Sequence, residues 1–352
     1  MIRHNSLVAG FVYVISLALL RHGSAADAEL HRFEFESKHM GTTFRIVLYA
    51  ENKDQADRAA KAGFDRVAEL DRIMSDYKKD SELNQLCRKF GKTATRKAVP
   101  VSADLFAVLQ KAEAMAKASD GAFDITVGPV VQLWRLARRT QQMPDPKEFA
   151  EARAKVGWQN VVLDSSDRHS PRVKLRVPGM QLDLGGIAKG YAADAVLTLL
   201  REKFHITRAL VAASGDITCG DPPPGREAWA VDIAPIVKGQ PTRTLALANC
   251  SVSTSGDLEQ FVVINGIRYS HVLDPRTGLG LTGQRSVTVI ARHGVTADSM
   301  TKAVSVLPVD KAFGLVDANH DALAATIVSL NDVGKPVVRS TMGFEKYLAN
   351  PK

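Results

Sequence analysis

A mixed α+β fold with antiparallel strands is the class this sequence predicts, and two observations predict it. Segments that alternate apolar and polar residues come in adjacent pairs, with amphipathic helical stretches set between the pairs. The one glycine-rich strand-to-helix turn, LDLGGIAKG (182–190), has neither GxGxxG nor GxxxxGK[ST] spacing, which argues against a doubly wound sheet. With 352 residues, 45% hydrophobic and 24% charged, the chain can bury a large core.

The N-terminus reads as a leader, not as part of the fold. MIRHNS carries Arg3 and His4, LVAGFVYVISLALL is apolar, and HGSAADA supplies small residues, the order of a secretory signal peptide over residues 1–26. An uncleaved membrane anchor is the alternative, but the apolar run is short for a span. No cysteine follows that run, so a lipoprotein anchor is not indicated. Cleavage after Ala26 removes Arg3 and Arg21 and no acidic residue, lowering the formal charge from +8 to +6. The basic residues are scattered and not interleaved with aromatics, which excludes nucleic acid as the expected partner. Cys87, Cys219 and Cys250 have no metal-like spacing; they allow one disulfide in an oxidising compartment or buried thiols.

Residues 33–50 alternate and read as a strand pair broken at Met40-Gly41. Residues 54–76 and 102–119 carry apolar positions at helical spacing, the second capped by Ser102. The stretch 158–186 alternates again and reads as strands ending at Leu184. An amphipathic helix, 187–204, follows the glycine pair. Strand segments then dominate: RALVAASGDITCG, AWAVDIAP, TRTLALANCSVSTSG, QFVVINGIRYSHVLDP and RSVTVIAR. Helices at about 297–307 and 309–319 and a strand ATIVSL close the chain. The Pro-rich loops 144–148 and 221–228 do not look like domain boundaries, so residues 27–352 read as one domain.

Four places could carry chemistry. The LDLGGIAKG corner exposes helix N–H groups and puts Lys189 in the first turn, suited to an anion, with Asp183 beside it as an acceptor. The bland reading is an ordinary corner with a solvated lysine. Asp124 lies among apolar residues of GAFDITVGPVVQLW and must be paired, ligand-bound or a cap. His271, at the end of a strand before Asp-Pro-Arg-Thr-Gly, suits proton transfer or phosphate contact, though a single histidine is commonly a satisfied core residue. In TADSMTKAV, Asp298 reads as a first-turn residue with Lys302 one turn on, on the same face.

Taken together, MGTTF, DYKKDSELNQL, GAFDITVGPVVQLW, LDLGGIAKGYAADA, ASGDI, STSGDLEQF, YSHVLDPRTG and SVTVIA…ADSMTKAVSVL resemble, in order, the motifs of the ApbE family of FAD:protein FMN transferases, over about residues 36–345. The resemblance implies an ApbE-type T-fold-like architecture of antiparallel sheets and packed helices. It implies a periplasmic or membrane-associated enzyme that uses Mg²⁺ to cleave the FAD pyrophosphate and transfers FMN to a threonine of an acceptor, a membrane-associated redox protein. Some relatives instead hydrolyse FAD to FMN and AMP. By the same resemblance, Met40, Tyr77, Ala122, Phe123, Asp124, Asp183, Lys189 and Val272 contact FAD. The glycine turn near Gly186 and Asp298 hold the metal, and His271 takes part in the phosphoryl chemistry.

One motif departs from the family pattern, A-D-A-L-A-T-A. In ADSMTKA, Lys302 stands where the metal-binding threonine belongs, and Thr301, the other candidate ligand, is about 100° of helical turn away. A protonated lysine has no lone pair for a metal. Three arrangements are then open. The metal binds without Lys302; or Lys302 takes the cation's place, giving a flavin-binding protein that need not be catalytic; or Lys302 pairs with Asp298 at the surface.

Overall fold

The computed structural model describes residues 29–349 except 92–96, 168, 238, 240, 257–260 and 332. The expected leader, 1–26, lies outside the described residues, as does part of the motif STSGDLEQF. The described chain starts as a hairpin, β1 (His31–His39) and β2 (Thr42–Ala50), turning on Met40 and Gly41 as expected. Helices α1 (Lys53–Met74) and α2 (Glu82–Lys89), strand β3 (Val99–Pro100) and helix α3 (Ala103–Ala118) follow. A 3-10 turn at Ile125–Val127, α4 (Gly128–Thr140), α5 (Pro146–Arg153), β4 (Val161–Asp164) and β5 (Arg172–Leu175) lead to α6 (Ala188–Phe204).

The second half is mostly strand: β6 (Ala209–Ala213), β7 (Asp216–Cys219), β8 (Trp229–Ile233), β9 (Arg243–Leu247), β10 (Cys250–Gly256), β11 (Phe261–Ile264), β12 (Ile267–Leu273), β13 (Gly280–Thr282) and β14 (Arg285–Ala291). Helices α7 (Gly294–Val306) and α8 (Val309–Ala318) precede β15 (Ala322–Leu330) and β16 (Pro336–Ser340). Among the described residues eight strands form one sheet, β1-β2-β6-β7-β10-β14-β15-β16, antiparallel at every pairing.

Strand alternation gives that sheet two apolar faces. Phe44, Ile46 and Leu48 of β2, with Val287 and Val289 of β14, pack under α1, α3, α6 and α7. Val47, Val252 and Ile290 point the other way, onto Trp229, Leu245 and Leu247 of the β8–β9 hairpin and onto Phe344. Each such fully buried side chain contributes about 1.5–3 kcal/mol relative to exposure. A smaller cluster joins α4 and α5 to the β11–β12 hairpin through Val130, Trp134, Ala152, Val262 and Ile264. All three cysteines are buried free thiols, although Cys219 and Cys250 stand opposite one another in the β7–β10 ladder.

Side-chain caps start α1, α2 and α3: Asn52, Ser81 and Ser102 accept from the N–H groups of Gln55, Asn84 and Leu105. Helix α7 has no such cap of its own. Its first N–H groups, those of Gly294 and Val295, donate to the Asp194 carboxylate of α6 at 2.7 and 2.9 Å. This borrowed cap sets the start of α7 at Gly294, so Asp298 lies in the second turn and not the first, a correction to the sequence reading. A second correction concerns residues 176–187. No strand ends at Leu184; the segment is irregular, and its Asp183 N–H bonds the carbonyl of Ile125 at 2.7 Å instead of a ladder partner. Buried Leu182 and Leu184 hold it down, which accounts for the strand-like alternation.

Candidate functional site

The glycine corner and α7 meet, as the sequence reading required. A Cβ placed on Gly190 would lie 2.1 Å from the carbonyl oxygen of Gly294 and 2.9 Å from Cβ of Asp298, so only glycine permits this approach. A Cβ on Gly186 would lie 3.0 Å from Cγ of Lys302 and 3.5 Å from the Phe123 ring. Gly186 and Phe123 thus face the stem of Lys302 across one junction, and Ala122, next to Phe123 in the chain, is buried.

At that junction sits Asp298, 0% exposed. Its Oδ1 accepts from Lys302 Nζ at 3.0 Å. Its Oδ2 accepts from the Gly190 N–H at 3.2 Å and faces Lys189 Nζ at 3.6 Å. Lys189 Nζ reaches Asp216 Oδ2 at 2.5 Å. Asp216 Oδ1 accepts from the Ser253 hydroxyl, which lies 3.5 Å from the Thr301 hydroxyl. Thr301 Oγ1 is in turn 3.0 Å from Lys302 Nζ and donates to the Asp298 carbonyl at 2.7 Å. Two ammonium and two carboxylate groups therefore form a ring with two hydroxyls.

Charge pairing decides the protonation states in the ring. Burial alone would raise the Asp298 carboxyl, but Lys189 and Lys302 outweigh it and hold it below the usual range. Burial would likewise lower Lys189, but Asp216 and Asp298 raise it. Both lysine side chains keep about a fifth of their surface open (22% and 20%), so the ring lies at the edge of the core.

A second cluster lies along the same corner. Asp183 Oδ1 accepts from the Gly185 N–H at 2.7 Å, tying the turn. Its Oδ2 pairs with Arg135 at 3.1 Å, and Arg135 also grips Asp76 at 2.5 Å. The guanidinium lies 4.1 Å from the centroid of Tyr77, a ring that is 73% exposed. Burial and the neighbouring Asp76 charge push Asp183 up to about 6 against the pull of Arg135.

The remaining sequence candidates fall into two groups. Asp124 is a cap: Oδ1 accepts from the N–H and hydroxyl of Thr126, and Oδ2 from the Trp158 N–H. Both carboxylate oxygens are thus engaged within the chain, in keeping with the bland alternative. Met40 has φ 48° and packs against the main core at the end of the sheet that also carries the β6–β7 turn before Asp216. His271 and Val272 lie on β12, against which α7 packs. Val272 lines a cavity of about 120 Å³ with Ser305 and Val306, one turn beyond Lys302 on α7. The following turn is anchored by Trp134, whose ring N–H donates to the Gly278 carbonyl at 2.8 Å.

Sequence reasoning missed Asp216, Ser253 and Arg135. The first two were detectable as polar residues on the inward face of otherwise buried strands, a burial that demands partners. Arg135 carried no signal, since α4 was not recognised as a helix.

The divalent ion implied by the resemblance can be tested against these groups. Lys302 Nζ stands 3.0 Å from both the Asp298 carboxylate and the Thr301 hydroxyl, where a cation bound to those oxygens would sit. Among the described residues no group of three or more His, Cys, Asp or Glu could hold a metal. In this arrangement the side chains do not fit a divalent ion.

Comparison with known proteins places these residues in context. The model of the ApbE family matches residues 40–327. The FAD:protein FMN transferase of Haemophilus influenzae is 31% identical over 351 residues, covering 97% of this chain and 98% of that protein. Its counterpart from Salmonella typhimurium is 32% identical, covering 90% and 89%. The crystal structure of the ApbE protein of Thermotoga maritima superposes with a TM-score of 0.78 at 28% identity, covering 91% of this chain and all of that one.

Proposed function

The chain belongs to the ApbE family, and from that premise we propose that it is an enzyme that transfers FMN from FAD to a threonine of an exported acceptor protein. The observation that carries the reading is the pair of ammonium groups, Lys189 and Lys302, held on one buried carboxylate beside a glycine turn. A linked diphosphate is the part of FAD that such a charge pair recognises.

In the reaction the threonine hydroxyl oxygen attacks the phosphorus on the FMN side of the pyrophosphate. A phosphoester bond forms, the bridging P–O bond breaks, AMP leaves, and the hydroxyl proton is accepted by His271. Catalysis of such a step is mainly placement and charge. Lys189 and Lys302 neutralise phosphate oxygens, Tyr77 stacks on a ring of the dinucleotide, and Asp183 accepts a hydrogen bond from it. Lys302, at the position of the threonine that the resemblance makes a metal ligand, supplies positive charge in its stead.

Export is part of the same reading: residues 1–26 direct the chain across the cytoplasmic membrane, where a membrane-associated redox protein supplies the threonine. The test mixes purified protein, FAD and a candidate acceptor domain. Release of AMP together with an acceptor mass increase equal to an FMN phosphoester, abolished by changing the acceptor threonine to valine, is the expected outcome. Free FMN and AMP without any acceptor would replace this reading with FAD pyrophosphatase.

A further inference from the structure

We propose that this chain carries its own cation: the Lys302 ammonium takes the position of a divalent ion, and FAD binds through Lys302 and Lys189 without Mg²⁺. The inference rests on the flavin reading above and deepens it by assigning the counter-charge of the pyrophosphate.

Geometry supports it from three directions. Lys302 Nζ binds both oxygens that a bound cation would use, the Asp298 carboxylate and the Thr301 hydroxyl, each at 3.0 Å. A second full positive charge held there would repel it across a few ångströms, so ammonium and ion exclude each other. The ring is also already neutral, with Lys189 and Lys302 balancing Asp216 and Asp298. A metal ion has no unspent carboxylate to draw on, whereas a pyrophosphate with two negative charges meets two lysines whose side chains each keep about a fifth of their surface open. The third contact of Lys302 Nζ, to the Asp298 carbonyl, is long at 3.4 Å and is the one an incoming phosphate oxygen would replace.

Lys302 is positioned for this by its neighbours. Its stem lies 3.0 Å from where a Cβ on Gly186 would be, so a side chain at the corner would press on it.

The experiment is calorimetric titration of the full-length mature protein with FAD, in excess MgCl₂ and in excess EDTA. The expected result is the same dissociation constant in both, within about twofold. Replacing Lys302 by Met removes the charge and keeps most of the stem; it weakens FAD binding about tenfold in both buffers, the loss of one charge-assisted hydrogen bond. Lys302→Thr restores a hydroxyl beside a freed carboxylate, and its FAD binding becomes tighter with MgCl₂ than with EDTA. Circular dichroism confirms that each variant folds, and the wild-type comparison needs no variant. Wild-type binding weakened about tenfold or more by EDTA would overturn the inference while leaving the flavin reading intact. Absence of FAD binding in both buffers would overturn both.

Discussion

At the scale of single residues, the site is organised around one carboxylate that has no contact with water. Asp298 is stable as an anion only because Lys189, Lys302 and the Gly190 N–H surround it. Removing one partner therefore has a cost unrelated to catalysis. Lys189→Met leaves Asp216 with the Ser253 hydroxyl but no cation and Asp298 with one cation fewer, and is expected to destabilise the fold by about 3–5 kcal/mol, read by urea titration. Tyr77→Ala should behave in the opposite way. The ring is exposed and touches mainly Arg135, so stability should change by less than about 0.5 kcal/mol, while FAD affinity falls by about 0.5–1.5 kcal/mol for the lost stacking. An unchanged affinity would remove Tyr77 from the site. Asp298 and Lys302 were legible as a pair because helical spacing alone brings i and i+4 together. Asp216 was not, because its link to Lys189 joins a strand to a helix by tertiary folding and leaves no local periodicity.

Among the elements, the α6–α7 contact is what positions the charges. The two backbones touch at Gly190 and Gly294, and Asp194 of α6 caps α7. Gly190→Ala puts a methyl carbon into a carbonyl oxygen, so the helices must separate; the expected loss is at or above the upper end of about 1–3 kcal/mol, with weakened FAD binding because Asp298 moves too. The cap also makes stability depend on pH. Burial pushes Asp194 up to about 6, against the pull of its two N–H bonds, whereas unfolded it titrates near ~3.9. The folded chain holds that proton more tightly. Its contribution is thus complete below pH ~3.9 and declines as pH rises through about 6. Urea midpoints between pH 4 and 7 should show this slope, reduced in Asp194→Asn; Asp183, also raised to about 6, and Asp124, raised by burial, add to it, while Asp298, Asp164 and Asp221, held below the usual range, oppose it at the acid end. An identical slope in the variant would show that Asp194 is not its source. The sequence revealed α6 almost to the residue, but not the start of α7. A cap supplied from another helix does not appear in the local sequence, which placed the start near 297 instead of Gly294.

Over the whole molecule, pairing of strands was readable in part and their order was not. The alternating run broken at Met40-Gly41 predicts the β1–β2 hairpin, which forms, whereas QFVVINGIRYSHVLDP, read as one strand segment, folds back at Asn265-Gly266 into β11 and β12. The eight-strand order depends on which faces bury together, and it inserts β6, β7 and β10 between β2 and β14. That order gathers the site: Asp216 and Ser253 are directly opposite each other on β7 and β10, on the face covered by α6 and α7. The same sheet belongs to both apolar layers. Phe44, Ile46 and Leu48 serve the helical side while Val47, between them, serves the β8–β9 side. Neither layer can lose the sheet and survive, so the two should unfold together. Trp229 is packed in the β8–β9 layer, and far-ultraviolet circular dichroism is dominated by the helices on the opposite face. Urea curves followed by tryptophan emission and by circular dichroism are therefore expected to coincide, as a single cooperative transition requires. Trp134 lies in the smaller α4–α5 cluster and Trp158 on the turn before β4, so a Trp134→Phe, Trp158→Phe double variant leaves Trp229 as the one tryptophan and reports the β8–β9 layer alone. If emission in that variant changed well before the helical signal, the β8–β9 layer would be a separate folding unit, and the positioning of Asp216 and Ser253 would depend on the helical layer alone.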